Sequence, residues 1–176
     1  MLGMGQHPRN FPLEARLGTV LGLLELVVAY GGRADLAFIA RELQMEVDQL
    51  LPASEAAELL GILEVHNGEG VATALGVKVS KSLSKGKKKI LKEQLPSLEP
   101  FSTALKLAQE NPEGFRIEDL INRLASSQSL VEYSENADKL HELLMDWMIY
   151  AELLSYDGDT GVFRLKQRRH APSSST

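Results

Sequence analysis

Apolar residues recur along this chain at helical spacing, in blocks that come in the same order twice. In the first half Leu17, Val20, Leu21, Leu24 and Val28 fall on one face of a helix. Gly31-Gly32 supplies a helix stop. Leu36, Ile39, Ala40 and Leu43 mark a second, shorter helix, and a third is expected from about Val47 to Leu60, with Gly61 after its end. Pro52 lies near enough to the start of that third helix to be tolerated, with some irregularity expected there. A strand over Ile62–Val65, the turn pair Asn67-Gly68 and a return at Val71 then predict a hairpin.

The second half repeats the series. Leu98, Phe101, Leu105 and Ala108 give one helix face, and Asn111-Pro112-Glu113-Gly114 is a turn by composition. Ile117, Leu120, Ile121 and Leu124 give the next stripe. Leu140, Leu143, Leu144, Trp147, Met148 and Ala151 make the wide face of a long third helix, and Tyr156 and Val162-Phe163 flank another hairpin turn. The tetrapeptide Ala-Glu-Leu-Leu stands at each predicted helix-to-hairpin junction, at Ala57–Leu60 and Ala151–Leu154. The halves differ in SSQSLVEYSEN, which reads as a longer loop or an earlier start to the third helix.

Three helices followed by a two-stranded wing is the winged-helix order. A hairpin alone is marginal and needs a helix layer beneath it. The expected fold is therefore mainly α (α+β): two winged-helix-like units, each of three helices plus a short β-hairpin wing. The expected divisions are a flexible N-terminal segment over 1–11, a first unit over 12–77, a lysine-rich connecting segment over 78–95 that is in part helical, a second unit over 96–166, and a disordered tail over 167–176.

Charge sharpens this picture. Met1–Val77 carries 4 basic and 10 acidic residues, Lys78–Lys92 carries 7 lysines and no acid, and Glu93–Thr176 carries 8 basic and 14 acidic residues. Two acidic blocks flank one basic stretch. The stretch suits phosphate backbones, anionic lipid headgroups, an acidic protein face, or simple solvation against the acidic units. It has no arginine or aromatic residue, so base readout and stacking are not indicated.

The chemistry-bearing patterns are incomplete. There is no cysteine, which excludes disulfides, a thiol nucleophile and cysteine-ligated metal sites. His141-Glu142 opens like the zinc pattern H-E-x-x-H, but position 145 is methionine. His7 and His170 lie in the tails and His66 at a wing tip. The pairs Glu55/Glu58 and Asp138/Glu142 sit one turn apart on amphipathic helices, as solvated faces do. Asp157, Asp159 and Thr160 keep only D-x-D of a calcium loop and read as a turn. No catalytic, cofactor-binding or metal residues are assigned, and no cofactor is expected. No apolar run approaches the ~20 residues of a membrane span, and the N-terminus lacks the order of a signal peptide.

Leu21–Val65 and Leu143–Leu165 resemble the C-terminal AAA-associated domain, which typically follows the ATP-binding cassette in ATPase subunits of nitrate/sulfonate/taurine-type uptake transporters. The resemblance rests on GLLE, GGRADL, the run L-L-P-x-x-E-A-A-E-L-L-G and W-x-x-Y-A-E-L-x-x-Y-D-x-D-T-G, and extends over roughly Phe11–Gln167. It implies a non-catalytic accessory or regulatory protein-interaction module beside an ATPase, in the cytoplasm and peripheral to the inner membrane through a transporter complex. The implied partner is an ATP-binding cassette domain or transporter subunit. The cassette motifs have no positions here; Gly70–Val79 has the wrong spacing for a phosphate loop. A homodimer through the aliphatic stretch Leu17–Val28 is a further expectation, though a monomer's core could equally consume it.

The rival reading is a DNA-binding regulator. A winged helix reads DNA with its third helix, which then carries Lys or Arg toward phosphates. Here the first third helix offers Asp48, Glu55 and Glu58, and the second Asp138, Glu142, Asp146 and Glu152 against Lys139; the wing tips add Glu69, Asp157 and Asp159. DNA is thereby disfavoured. The candidate interaction patch is Lys81, Lys85, Lys87, Lys88 and Lys89 with Trp147 and Tyr150, aromatics that a core could also claim.

Overall fold

In the computed structural model, which describes residues 9–166, helices and small antiparallel sheets combine in an α+β fold. The first half runs β1 (Arg9–Asn10), α1 (Leu17–Ala29), β2 (Arg33–Asp35), α2 (Leu36–Glu42), α3 (Val47–Leu59), β3 (Leu63–His66) and β4 (Glu69–Ala72). Gly31 and Gly32, both at positive φ, turn the chain out of α1. The Asp35 carboxylate accepts from the Ala37 N–H at 2.7 Å and caps α2. α3 continues through Pro52, which forgoes one intrahelical bond.

Two helices follow, α4 (Ala74–Lys81) and α5 (Ser84–Gln94), then β5 (Leu98–Glu99). The second half runs α6 (Phe101–Glu110), β6 (Phe115–Arg116), α7 (Ile117–Ala125), the short α8 (Val131–Ser134), α9 (Ala137–Leu143) with a π-helical continuation over Leu144–Ile149, then β7 (Leu154–Asp157) and β8 (Val162–Leu165). Both expected hairpins are present, and SSQSLVEYSEN contains a helix of its own. Each hairpin also gains a third strand that alternation did not signal: the sheets run β2-β4-β3 and β6-β8-β7. Strands of two or three residues are too short to carry a period.

Two apolar faces differ from expectation. On α1 the buried residues are Leu17, Val20, Leu23, Leu24 and Val27, with Leu21 and Val28 at the margin. On α6, Ala104 and Leu107 go inside and Leu105 to the margin. LGLLELVV is apolar nearly all round, so spacing alone does not choose its buried side.

The repeated Ala-Glu-Leu-Leu is not the repeated junction. In the first half the Gly61 N–H donates to Glu58 O and the Ile62 N–H to Ala57 O; in the second, Glu152 donates to Ile149 O and Leu153 to Met148 O. These are equivalent helix-ending bonds of the Schellman type, and they recur 91 residues on, whereas the tetrapeptide recurs 94 on. The first tetrapeptide closes its helix; the second straddles the turn and enters β7. Ala57 therefore corresponds to Met148, and Gly61 to Glu152.

The halves share one continuous core, so they are joined by packing as well as by the lysine stretch. The residues ahead of α1 form a strap that ties them together. β1 pairs in parallel with β5, and the Phe11 N–H donates to Glu99 O at 2.7 Å. Phe11, placed in the expected flexible segment, is instead buried, edge-on to Phe101 and Trp147 at centroid distances of 5.0 and 4.9 Å. An aromatic anchor of this kind ordinarily contributes several kcal/mol, about 3–5 on truncation to alanine. The one hydroxyl proton of buried Tyr133 of α8 is shared between Phe11 O (2.7 Å) and Glu99 O (3.0 Å). The expected disordered tail, 167–176, and most of the expected flexible start, 1–8, lie outside the described residues.

Candidate interaction surface

The second third helix reaches the strap with its polar side. Asp146 accepts from the Leu17 N–H at 2.6 Å, and the Trp147 indole N–H donates to Ala15 O at 3.0 Å. Arg16 pairs with Glu142, and Lys139 with Glu14 at 2.8 Å. Residues 14–17 of the same chain thus bond to this face, while Asp138, Lys139 and Glu142 stay exposed. Trp147 is fully buried, which removes it from the expected interaction patch: its ring fills the core beneath the strap, and its one polar atom is spent on Ala15. The aliphatic side of α1 expected to pair two copies is likewise consumed inside the chain.

On the first third helix, Asp48, Glu55 and Glu58 are exposed, and Glu58 accepts from the Val65 N–H at 3.2 Å. His141 is half-buried, edge-on to Tyr156 and Phe163, so it serves the second hairpin's packing. The Asp157 carboxylate accepts from the Asp159 N–H at 3.0 Å, and the turn's backbone N–H groups hold its pKa below the ordinary value. Among the described residues no group of three or more metal-type ligands converges, and no helix is long and apolar enough to cross a membrane.

The lysines form the distinctive surface. Thr73 caps α4, accepting from the Gly76 N–H at 3.0 Å, and α4 carries Lys78 and Lys81. The chain turns at Ser82-Leu83 into α5, whose Ile90 and Leu91 go into the core. Lys87 is tied back, its ammonium donating to Ser82 O. Lys85, Lys88, Lys89 and Lys92 fall at i, i+3, i+4 and i+7, one stripe of α5. That stripe borders a groove of about 520 Å³ whose far wall is Ala151 and Glu152, the helix-to-hairpin junction of the second half.

Lys88 is the link across this groove. Its ammonium lies 5.3 Å from the centre of the Tyr150 ring and 3.9 Å from the Glu152 carboxylate. A cation over an aromatic face is attracted by the ring's quadrupole. Glu152 reaches this position from a left-handed backbone conformation, φ +60°, where its counterpart is Gly61. Of the expected patch, Lys85, Lys88 and Lys89 meet at the groove with Tyr150 beside them; Lys81 is on the neighbouring helix and Lys87 is held by backbone. Sequence reasoning missed Lys92 and Glu152 as patch members. The lysine spacing could have shown the first; the left-handed turn that presents the second leaves no sequence signal.

The sequence model of the C-terminal AAA-associated domain matches residues 38–157. No curated protein and no solved structure gives a match. The matched span runs from within α2 to the end of β7, taking in both third helices, the lysine helices and the groove between α5 and Glu152. With about two thirds of its length inside that span, the chain belongs to the C-terminal AAA-associated domain family.

Proposed function

We infer that the chain is a non-catalytic accessory module that binds and regulates an ATP-binding cassette ATPase of the nitrate/sulfonate/taurine/bicarbonate type of uptake transporter. The observation that carries this reading is the family membership, together with what becomes of the two third helices. The helix–strand–helix–helix–hairpin order supports a winged-helix fold in each half, and such folds often bind DNA. Here one would-be reading helix has its polar side chains paired with its own strap, and the other presents carboxylates. Two like charges 4 Å apart repel by about 1 kcal/mol in water and by more near protein, so a phosphate backbone would meet opposition at each helix. Protein is the partner that such surfaces suit. The site of action is then the cytoplasmic face of the inner membrane, reached through the transporter rather than by a span of this chain.

The test is reconstitution with a purified cassette subunit. Co-elution in size-exclusion chromatography and a change in ATP hydrolysis rate are the expected results; the absence of both would overturn the reading. The DNA-binding alternative is separated by mobility-shift titration at low salt. Sequence-selective binding with a steep salt dependence would favour it.

A further inference from the structure

The groove between α5 and the second helix-to-hairpin junction has a definite chemical character. Lys85, Lys88, Lys89 and Lys92 stand on one side and Glu152 on the other, a balance of four cations to one anion. Its accessible lining is otherwise small and apolar, Gly86 and the methylene stems of the lysines, with Ala151 buried behind it. All of these residues are held on ordered elements, α5 through Ile90 and Leu91 and the junction through the bonds that end the helix. We propose that this groove is a docking site for an acidic segment of a partner protein, its carboxylates on the lysine rim and an apolar side chain seated against Gly86 and the lysine stems.

Charge complementarity selects this occupant. A lipid headgroup plane is flat and cannot follow Lys88 into a cleft. A nucleic acid would look for arginine forks or free aromatic faces, and the one ring here, Tyr150, lies beneath Lys88. A peptide is narrow enough to enter and flexible enough to place carboxylates at one-turn spacing. Glu152 then acts as a resident competitor: its carboxylate, 3.9 Å from the Lys88 ammonium, occupies the position that an incoming acidic side chain would take. The inference deepens the accessory-module reading by naming the chemistry of a partner, but it is tested without a cassette, so the two can fail separately.

The probe is a fluorescein-labelled synthetic peptide of alternating Glu-Glu-Leu triplets, titrated with the full chain and read by anisotropy. Its all-glutamine counterpart is the control. Saturable binding of the acidic peptide alone, weakened by salt, is expected. Lys88→Glu with Lys89→Glu should weaken it about tenfold or more, and Lys81→Glu, outside the groove, by less than about twofold. Glu152→Gln should tighten it about threefold by removing the competitor, whereas Glu93→Gln, which removes the same charge from α5 outside the groove, should leave it within about twofold. Circular dichroism of each variant checks the fold. No saturable binding, equal effects of Lys81 and Lys88/Lys89 reversal, or equal effects of the two glutamine variants would overturn the proposal. So would tighter, Lys88-dependent binding to phosphatidylserine vesicles or to a DNA duplex.

Discussion

Two single positions meet the same backbone demand at the same place in the fold with different residues. Gly61 and Glu152 both occupy the left-handed turn that ends a third helix, at φ +76° and +60°. Glycine adopts that conformation without steric penalty, and other residues are disfavoured by roughly 1 kcal/mol or more. Gly61→Ala should therefore destabilise the protein by about 1 kcal/mol. Glu152→Gly should be neutral to stabilising by up to about 1 kcal/mol, because the exposed pair with Lys88 that it sacrifices is worth little. Urea denaturation of the two variants gives the comparison, and the same sign for both would contradict the assignment of equivalent turns. Gly76 is constrained differently. A Cβ there would lie 2.0 Å from the Ile62 carbonyl oxygen, so α4 packs directly on backbone. Gly76→Ala should cost about 2 kcal/mol, by forcing α4 away from the first sheet.

At the scale of elements, β1, β5 and α8 meet around one hydroxyl. The Tyr133 hydroxyl proton is shared between the carbonyls of Phe11, just after β1, and Glu99 of β5. Burial, with Glu99 nearby, raises its pKa well above the ordinary value near 10. A tyrosine whose folded pKa is raised contributes stability that is fully present below its unfolded pKa. That contribution is lost as pH rises through the interval between the unfolded and the folded value. Stability should thus fall above about pH 10, and Tyr133→Phe should flatten that alkaline decline while lowering stability at neutral pH by about 1–3 kcal/mol. A midpoint-against-pH series for both proteins is the measurement; an unchanged alkaline slope would count against this role. The same region shows why some elements were legible in sequence and others were not. α2, α3, α7 and both hairpins follow from apolar spacing and turn residues, because each repeats a pattern over enough positions. β1, β2, β5 and β6 have two or three residues apiece and exist through partners far along the chain, which no local pattern records. Tyr133 looked like part of a polar loop because its burial depends on a strap more than a hundred residues upstream.

For the whole molecule, duplication was visible in the sequence but its closure was not. The lysine stripe at i, i+3, i+4 and i+7 was readable as a patch, while the groove that gives it a second wall depends on Glu152 arriving from the other half. The helical spacing of Trp147 favours a core over a surface, although it also stands in the expected patch; the strap's Phe11 and Ala15 decide for the core. That strap ties the two repeated units together and bonds to the polar side of the second third helix. Trp147, the one tryptophan in the chain, sits under it and reports on it directly. Equilibrium urea unfolding should be followed by Trp147 fluorescence and by far-ultraviolet circular dichroism, which senses the helices of both halves. Coincident transitions with one midpoint, shifted together to lower urea by Phe11→Ala, are the predicted result. A fluorescence transition that precedes the loss of helix, or a Phe11→Ala protein in which one half keeps its original midpoint, would contradict a shared core closed by the strap.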